Sequence, residues 1–410
     1  MRGVFGPLGA TMLVQAMVAM AISVVPVLSP VLGAHYGVAP SLIGIYSSLV
    51  FVGAISFTLL GGLLVRRFGA VRCSQAALTI AGCALAATAL GPLAGVIVFG
   101  VITGMGYGLA TPAASHILAR VTPPHRRGVV FSMKQSAVPL GGLLAGLIAP
   151  VAAAGFDWRG AIIGMAGLVV AVVLVIHPLR ARLDDDRDPA FPITMRSPFT
   201  AVANVLRNPK LQGLAIATFA YAAMQSSIFS IFTAYLVEIG GLTLITAGQA
   251  FAALQTAGVI ARVAFGWLSD KLVPARYLLA GIGLAMALVG VLVAQLSPSW
   301  PVGAVFAVAS LLGFAAAGWP GIYLAEIVRV VPPDQVSTAT GGTVAFSFLG
   351  VVVGPALFSA IVTISGSYVP AFYVFSAFAA FVGAMLWRHS RRQPTSQVDG
   401  QDGSPPPSPR

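Results

Sequence analysis

The chain has 410 residues, of which 58% are apolar and only 8% charged, and its mean hydropathy is +0.93. A soluble globular protein carries about 25% charged residues, so this composition excludes one and points to a chain that resides in lipid. The net charge of +12 could suit nucleic acid, but its placement along the chain, traced below, follows membrane topology and excludes that partner.

Twelve apolar runs of about 20 residues, long enough to cross a bilayer, follow one another between short polar breaks. They fall near 8–33, 42–65, 74–91, 93–118, 129–153, 160–177, 212–236, 246–268, 277–296, 302–328, 337–363 and 369–387. The first, after Met1-Arg2, exceeds the roughly 7–15 residue core of a secretory signal and is expected to remain as an uncleaved span. Cys73, just before the third, and Cys83 within it lie on one predicted helix, about 15 Å apart along its axis and too far for a disulfide. The fourth reads Gly100-Val-Ile-Thr-Gly104-Met-Gly106-Tyr-Gly108-Leu-Ala-Thr-Pro112. Its glycines suit close helix packing, and with no strand before it and no lysine after it the run is not a phosphate loop. Lys134, in the fifth, lies seven residues past Arg127 and so about 10 Å in from the polar edge. Such a lysine either snorkels back to the interface or serves a buried site.

A polar insertion at 178–211 divides the spans six and six. In the seventh, Tyr221 and Gln225 are one turn apart; in the eighth, Gln255 precedes Arg262 by two turns on one face; in the tenth, Trp319 and Tyr323 repeat the one-turn spacing. These are candidate cavity residues, although amides and aromatics at helical spacing also serve as packing and glue between helices. Glu326 precedes Arg329 by three residues, a spacing at which they can pair. From about 388 the chain ends in a Ser/Pro-rich tail expected to be disordered.

Arg262 has no charged neighbour before Asp270, about 12 Å further along a helix. A guanidinium at such depth costs on the order of 3 kcal/mol even on the mildest insertion scale, so a protein partner or a bound anion must compensate for it. Of the eleven acids, none lies at mid-membrane unless Glu326 reaches inward. An anionic substrate would neutralise Arg262 and Lys134, and the planar guanidinium fork suits a carboxylate.

Twenty of the 23 basic residues fall on one side of this layout, Arg159 alone falls on the other, and Lys134 and Arg262 lie inside spans. Both termini are therefore expected in the cytoplasm. The halves also repeat. Gly62, Leu64, Arg67 and Arg72 match Gly266, Leu268, Lys271 and Arg276 at an offset of 204, and Pro123-Pro124 with Leu140-Gly141 match Pro332-Pro333 with Leu349-Gly350 at 209. By these offsets Arg262 corresponds to Thr58 and Lys134 to Thr343, so both buried cations break the symmetry of the scaffold.

The turn Gly266-Trp-Leu-Ser-Asp270-Lys271 resembles the G-x-L-x-D-R/K signature of major facilitator superfamily transporters, found there in the cytoplasmic loops after the second and eighth helices. The loop Gly62-Leu-Leu-Val-Arg66-Arg67-Phe-Gly69 is its counterpart, with Arg66 where the family has aspartate. The fourth span resembles the family's R-x-L-x-G-x-G-x-G pattern with Gly100 in the arginine's place, and Pro139-Leu-Gly141-Gly142 departs from the G-P-x-x-G-G run of drug antiporters. Arg262 is similar to the eighth-helix arginine of oxalate/formate and monocarboxylate porters. The resemblance implies an all-α membrane fold of two six-helix repeats, 1–177 and 212–387, joined by a cytoplasmic linker at 178–211 and followed by a tail at 388–410, with the substrate site between the repeats.

The expected function is secondary transport of a small organic anion, a carboxylate, by alternating access, with exchange or proton symport as the mode. Arg262 and Lys134 would bind the anion, helped by Gln255, Tyr221, Gln225, Trp319 and Tyr323. Gly266, Asp270, Lys271, Gly62, Arg66 and Arg67 would form a conformational latch. The expected setting is a monomer in the inner or plasma membrane with no cofactor and no metal. Efflux of a hydrophobic compound is the rival within transport. A membrane enzyme lacks clustered catalytic groups, since the five histidines are scattered, and a non-transporting receptor would bind without moving its ligand.

Overall fold

The computed structural model describes residues 2–123, 126–193, 199–332 and 336–391, and it is almost entirely helical, with no strand among the described residues. A backbone inside lipid must satisfy its own hydrogen bonds, and a helix does so within one segment. Among the described residues eleven helices are long and apolar enough to cross a membrane. One of them, the 55 residues Val129–Leu183, is too long for a single crossing. Its backbone leaves helical space at Asp157, with φ 69° and ψ 173°. Both ends of this stretch lie on one face, because Arg120, just before its start, reaches Asp185 and Asp186 just after its end at 2.8 and 2.7 Å. The chain thus reverses at Asp157, and the described residues hold twelve segments long and apolar enough to cross, as expected from the apolar runs.

In chain order, α1 is Arg2–Val27 with its continuation Ser29–Tyr36, α2 Ile43–Phe68, α3 Ala70–Thr88, α4 Leu93–Val121, and α5 the short Arg127–Gln135 followed by 137–156. Then come α6 at 158–176, α7 Pro209–Glu238, α8 Leu244–Lys271, α9 Ala275–Val293, α10 Val302–Ala317 with Trp319–Val330, α11 Val336–Ser365 and α12 Tyr368–Arg391. The linker contributes only the turn His177–Leu179 and the short helices Arg180–Leu183 and Phe199–Arg207. Helix α12 continues to Arg391, three residues past the expected start of the tail, and 392–410 lie outside the described residues.

The sequence repeat is also a packing repeat. Gly104 of α4 lies against the backbone of Val50 in α2, and Gly313 of α10 lies against the backbone of Leu254 in α8. These pairs are related by the same 204- and 209-residue offsets. A methyl on either glycine would enter a carbonyl group, so the missing side chains are what allow these helix axes to approach.

The first six helices meet the last six along two seams. In one, Gly44 of α2 packs on Pro355 and Ser359 of α11, Ser359 donates to the Ser41 carbonyl, and the Ala356 amide donates to Ser48 Oγ at 3.0 Å. In the other, Gly146 and Pro150 of α5 pack on Gly248 of α8. Both seams lie toward the face opposite the basic loops, and so does Arg159, which stacks on Trp158 at 4.5 Å and donates to the Ala89 carbonyl at 3.2 Å.

On the basic face the acidic run of the linker holds the first six helices. Asp184 accepts from the amides of Val71 and Arg72 at 2.6 and 3.1 Å, so its carboxylate sits at the N-terminus of α3, where unpaired N–H groups favour negative charge. Gly69, at φ 99°, is the residue it packs against, and a side chain there would collide with it. Burial pushes the Asp184 carboxyl above its ordinary pKa, against the pull of the Val71 amide. Asp186 meets His116 at 2.7 Å, and Arg120 holds Asp185 below the usual carboxylate range.

Candidate functional site

Arg262 projects from the middle of α8 and is half-buried. Its Nη1 donates to the Gln135 carbonyl of α5 at 2.6 Å, and its Nε donates to the Ala317 carbonyl of α10 at 3.1 Å. The guanidinium therefore bridges the first and last six helices. Both acceptors are carbonyls that their own helices leave open. The residue four beyond Gln135 is Pro139, which has no N–H to offer it. Ala317 ends the first part of α10 at the break marked by Gly318 and followed by Pro320, so it is one of the unpaired terminal carbonyls.

The related position in the other half shows the same local repair. Thr58 donates to the Gly108 carbonyl of α4 at 3.0 Å, and the residue four beyond Gly108 is Pro112. Gly108 corresponds to Ala317 at the 209 offset, and Thr58 to Arg262 at 204. Where the first half uses a short hydroxyl that stops at its neighbour, the second uses a guanidinium long enough to reach the other half as well.

Lys134 is among the largest fully buried side chains, with 1% exposure, and its Nζ has the Gln135 Oε1 at 3.3 Å. It lies close enough to Arg262 for the two positive charges to interact. None of the ion pairs among the described residues includes either cation. Glu326, the one acid that could have reached inward, is held by Arg329 at 2.6 and 3.0 Å, as their spacing predicted. Among the described residues the hydrogen bonds of the two cations thus go to carbonyl and amide oxygens, a partial compensation that a bound anion would complete.

Gln255 is buried against Gly142 of α5, and its Oε1 has no partner among the described residues. Gln15 on α1, which the sequence did not flag, is 1% exposed, accepts from Thr111 at 3.2 Å and has no partner for its Nε2 among the described residues. Its signal was a lone amide inside a long apolar run, whereas Gln255 was singled out by lying two turns before Arg262 on one face. These two amides lie on helices that contact the adjacent glycines Gly141 and Gly142, α1 on one side and α8 on the other.

The remaining expected residues fall into a tightly bonded group. Trp319 Nε1 donates to Gln225 Oε1 at 3.1 Å, and Tyr323 meets Thr343, the counterpart of Lys134, at 3.1 Å. Tyr221 is fully buried and donates to the Leu279 carbonyl at 2.8 Å, so its hydroxyl is committed to the packing of α7 on α9. The rings of Tyr221 and Trp319 stand 6.4 Å apart, and those of Trp319 and Tyr323 6.0 Å. Of the expected latch, Gly62 and Gly266 face open space and Lys271 is exposed, while the Asp270 side chain lies outside the described residues. Arg66 lies over the Phe191 ring at 4.1 Å and accepts at its carbonyl from the Asp188 amide at 2.8 Å, and Arg67 lies over Phe68. That loop is therefore engaged by the linker. A cavity of about 210 Å³ opens among Gln212, Arg276, Glu326 and His389, and none of the expected substrate residues lines it.

The all-helical fold agrees with the comparisons. The family model described as Major Facilitator Superfamily matches residues 11–325. The chain belongs to that superfamily. It is accordingly a membrane transporter and not an enzyme. A hexuronate transporter of Bacillus subtilis (strain 168) is 25% identical over 372 residues, which make up 85% of each chain. The crystal structure of a bacterial homologue of the human lysosomal transporter Spinster, in an inward-facing and occupied conformation, aligns with a TM-score of 0.74 at 16% identity, covering 94% of this chain and 96% of that one. Its inward-facing and unoccupied counterpart aligns with the same TM-score at 17% identity. These two structures bear on the fold of this superfamily member alone.

Proposed function

We propose that the protein carries a small, hydroxyl-bearing carboxylate across the inner or plasma membrane by alternating access, with 1–177 and 212–387 as the two moving halves. The basic face, with both termini, is the cytoplasmic one, by the distribution of arginine and lysine. The observation that carries the substrate class is the pair of cations, half-buried Arg262 and buried Lys134, with no ion-pair partner among the described residues. A carboxylate matches the guanidinium fork with two oxygens, and the ammonium of Lys134 adds a second charge. The open amide ends of Gln15 and Gln255 suit hydroxyl groups, which both donate and accept. The Bacillus relative named a hexuronate transporter supports the same class, since a hexuronate is a polyhydroxylated carboxylate.

Thermal unfolding of the purified protein with a panel of sugar acids, plain mono- and dicarboxylates, neutral sugars and lipophilic cations tests the reading. A ligand at a hundred times its dissociation constant adds about 2.7 kcal/mol, enough for a clear shift of the midpoint. Sugar acids are expected to stabilise most and neutral sugars not at all. Stabilisation by neutral or lipophilic compounds alone would instead indicate efflux of hydrophobic molecules.

A further inference from the structure

We propose that Pro139 is a positioning residue for Arg262: by withholding an N–H from the Gln135 carbonyl, it creates the acceptor through which α8 grips α5. In an uninterrupted helix the Gln135 carbonyl would be filled by the amide four residues on. Here that residue is proline, and the carbonyl receives Arg262 Nη1 at 2.6 Å instead. The helix registers the interruption locally, since Arg127–Gln135 ends there and Ala137–Ile176 begins two residues later.

The contact has a particular place. Elsewhere α5 and α8 meet through glycine and proline surfaces, at Gly142 against Gln255 and at Gly146 and Pro150 against Gly248, all on the side of Arg262 toward the non-basic face. The bond from Arg262 to Gln135 is a side-chain hydrogen bond from α8 to α5 at the basic-face end of that seam. Its other anchor, Ala317, belongs to the same half as Arg262, so releasing Gln135 leaves the arginine held but the halves unlinked there. The Thr58 to Gly108 bond, made over Pro112, is the unarmed version of the same device, confined to one half.

This inference extends the transport reading by giving Arg262 two competing acceptors on the path of the substrate, a backbone carbonyl and a carboxylate. A carboxylate is the stronger acceptor, because a charge-assisted bond exceeds one to a neutral carbonyl. Substrate arriving at Arg262 therefore displaces the Gln135 carbonyl and loosens the grip of α8 on α5. The proline sets the strength of that grip without touching substrate.

The test needs no substrate, so it stands apart from the fate of the transport proposal. Cys73 and Cys83 are replaced by serine, and spin labels are placed at Val129→Cys and Trp267→Cys, positions exposed near the basic-face ends of α5 and α8. Inter-label distances are measured by double electron–electron resonance in the otherwise native protein, in Pro139→Ala, in Arg262→Ala and in the double variant. Pro139→Ala supplies the missing N–H, so its distance distribution is expected to lengthen and broaden as that of Arg262→Ala does, with no further change in the double variant. Pro139→Gly, which supplies the same N–H in a more flexible helix, is expected to act in the same direction and replaces the alanine variant if that one does not fold. An unchanged distribution in the proline variants, with a shift in Arg262→Ala, would overturn the inference. So would a proline effect that persists undiminished without Arg262, since Pro139 would then act by bending α5 alone.

Discussion

A guanidinium held by two main-chain carbonyls keeps its charge while remaining open to exchange. Each bond to Arg262 is made to a neutral acceptor, at 2.6 and 3.1 Å, and neither cancels the charge. Lysine in its place would keep the charge and lose the fork, so Arg262→Lys is expected to retain weak uptake of carboxylate in proteoliposomes and Arg262→Ala to lose it. If both variants transported at the native rate, Arg262 would have no part in anion binding. What could be read from the chain was that Arg262 lies in an apolar helix with no acid near it. Its actual acceptors were not foreseen, although Pro139 and Pro320 mark them, because a freed carbonyl becomes visible only once a donor from another helix is placed beside it. Tyr221 shows the opposite limit: helical spacing puts it one turn from Gln225, but only packing reveals that its hydroxyl is spent on Leu279.

At the level of whole helices, two devices recur: glycines that let backbones touch, and prolines whose freed carbonyls are capped from a neighbour. Gly108 combines both, lying against the Ala54 backbone while its own carbonyl receives Thr58. A methyl at Gly108 has only backbone to push against, so Gly108→Ala is expected to separate α2 from α4 and destabilise the protein by about 1–3 kcal/mol, read as a lowered unfolding midpoint. Gly62→Ala, which meets open space, is the control and should leave the midpoint within about 0.5 kcal/mol. The linker supplies a second test at this scale. Arg120 lowers the Asp185 pKa, so this contact contributes stability above the ordinary carboxylate range and loses it as pH falls through the lowered value. Asp184 has the opposite sign: its raised pKa favours the protonated folded form, a contribution present in acid and lost as pH rises through the raised value. His116, Arg180 and Asp186 face the same acidic run. Proteolysis near 184–193 is therefore expected to speed up at neutral pH in Arg120→Ala relative to the native chain, and equal cleavage rates would show that the ion pair does not hold the linker. The span count was legible because length and hydropathy set it, whereas the reversal at Asp157 inside one 55-residue stretch was placed from a short polar break that the backbone turns into a corner.

On the scale of the whole molecule, half-buried Arg262 and buried Lys134 are expected to govern how the carrier resets. Lys134 is 1% exposed with a single amide oxygen at 3.3 Å, and Arg262 is held on dipoles. To change the face to which the site opens without substrate, the protein must carry both charges through a closed state apart from water. A loaded carrier passes through the same state with at least one charge neutralised. An unpaired buried ion costs several kcal/mol, and each 1.36 kcal/mol added to a barrier slows a step tenfold. Reorientation should then be at least about a hundredfold faster loaded than empty, for a difference of about 3 kcal/mol. In proteoliposomes this predicts rapid uptake of labelled carboxylate into vesicles preloaded with the unlabelled compound and very slow uptake into empty ones. Lys134→Gln removes one of the two charges, so uptake into empty vesicles is expected to rise toward the exchange rate while exchange itself remains measurable. Equal uptake into loaded and empty vesicles by the native protein would mean that another group neutralises the site during the empty return. In that case, uptake into empty vesicles that grows as the external pH falls, and loses this dependence in Lys134→Gln, would identify a proton carried with the substrate in place of exchange.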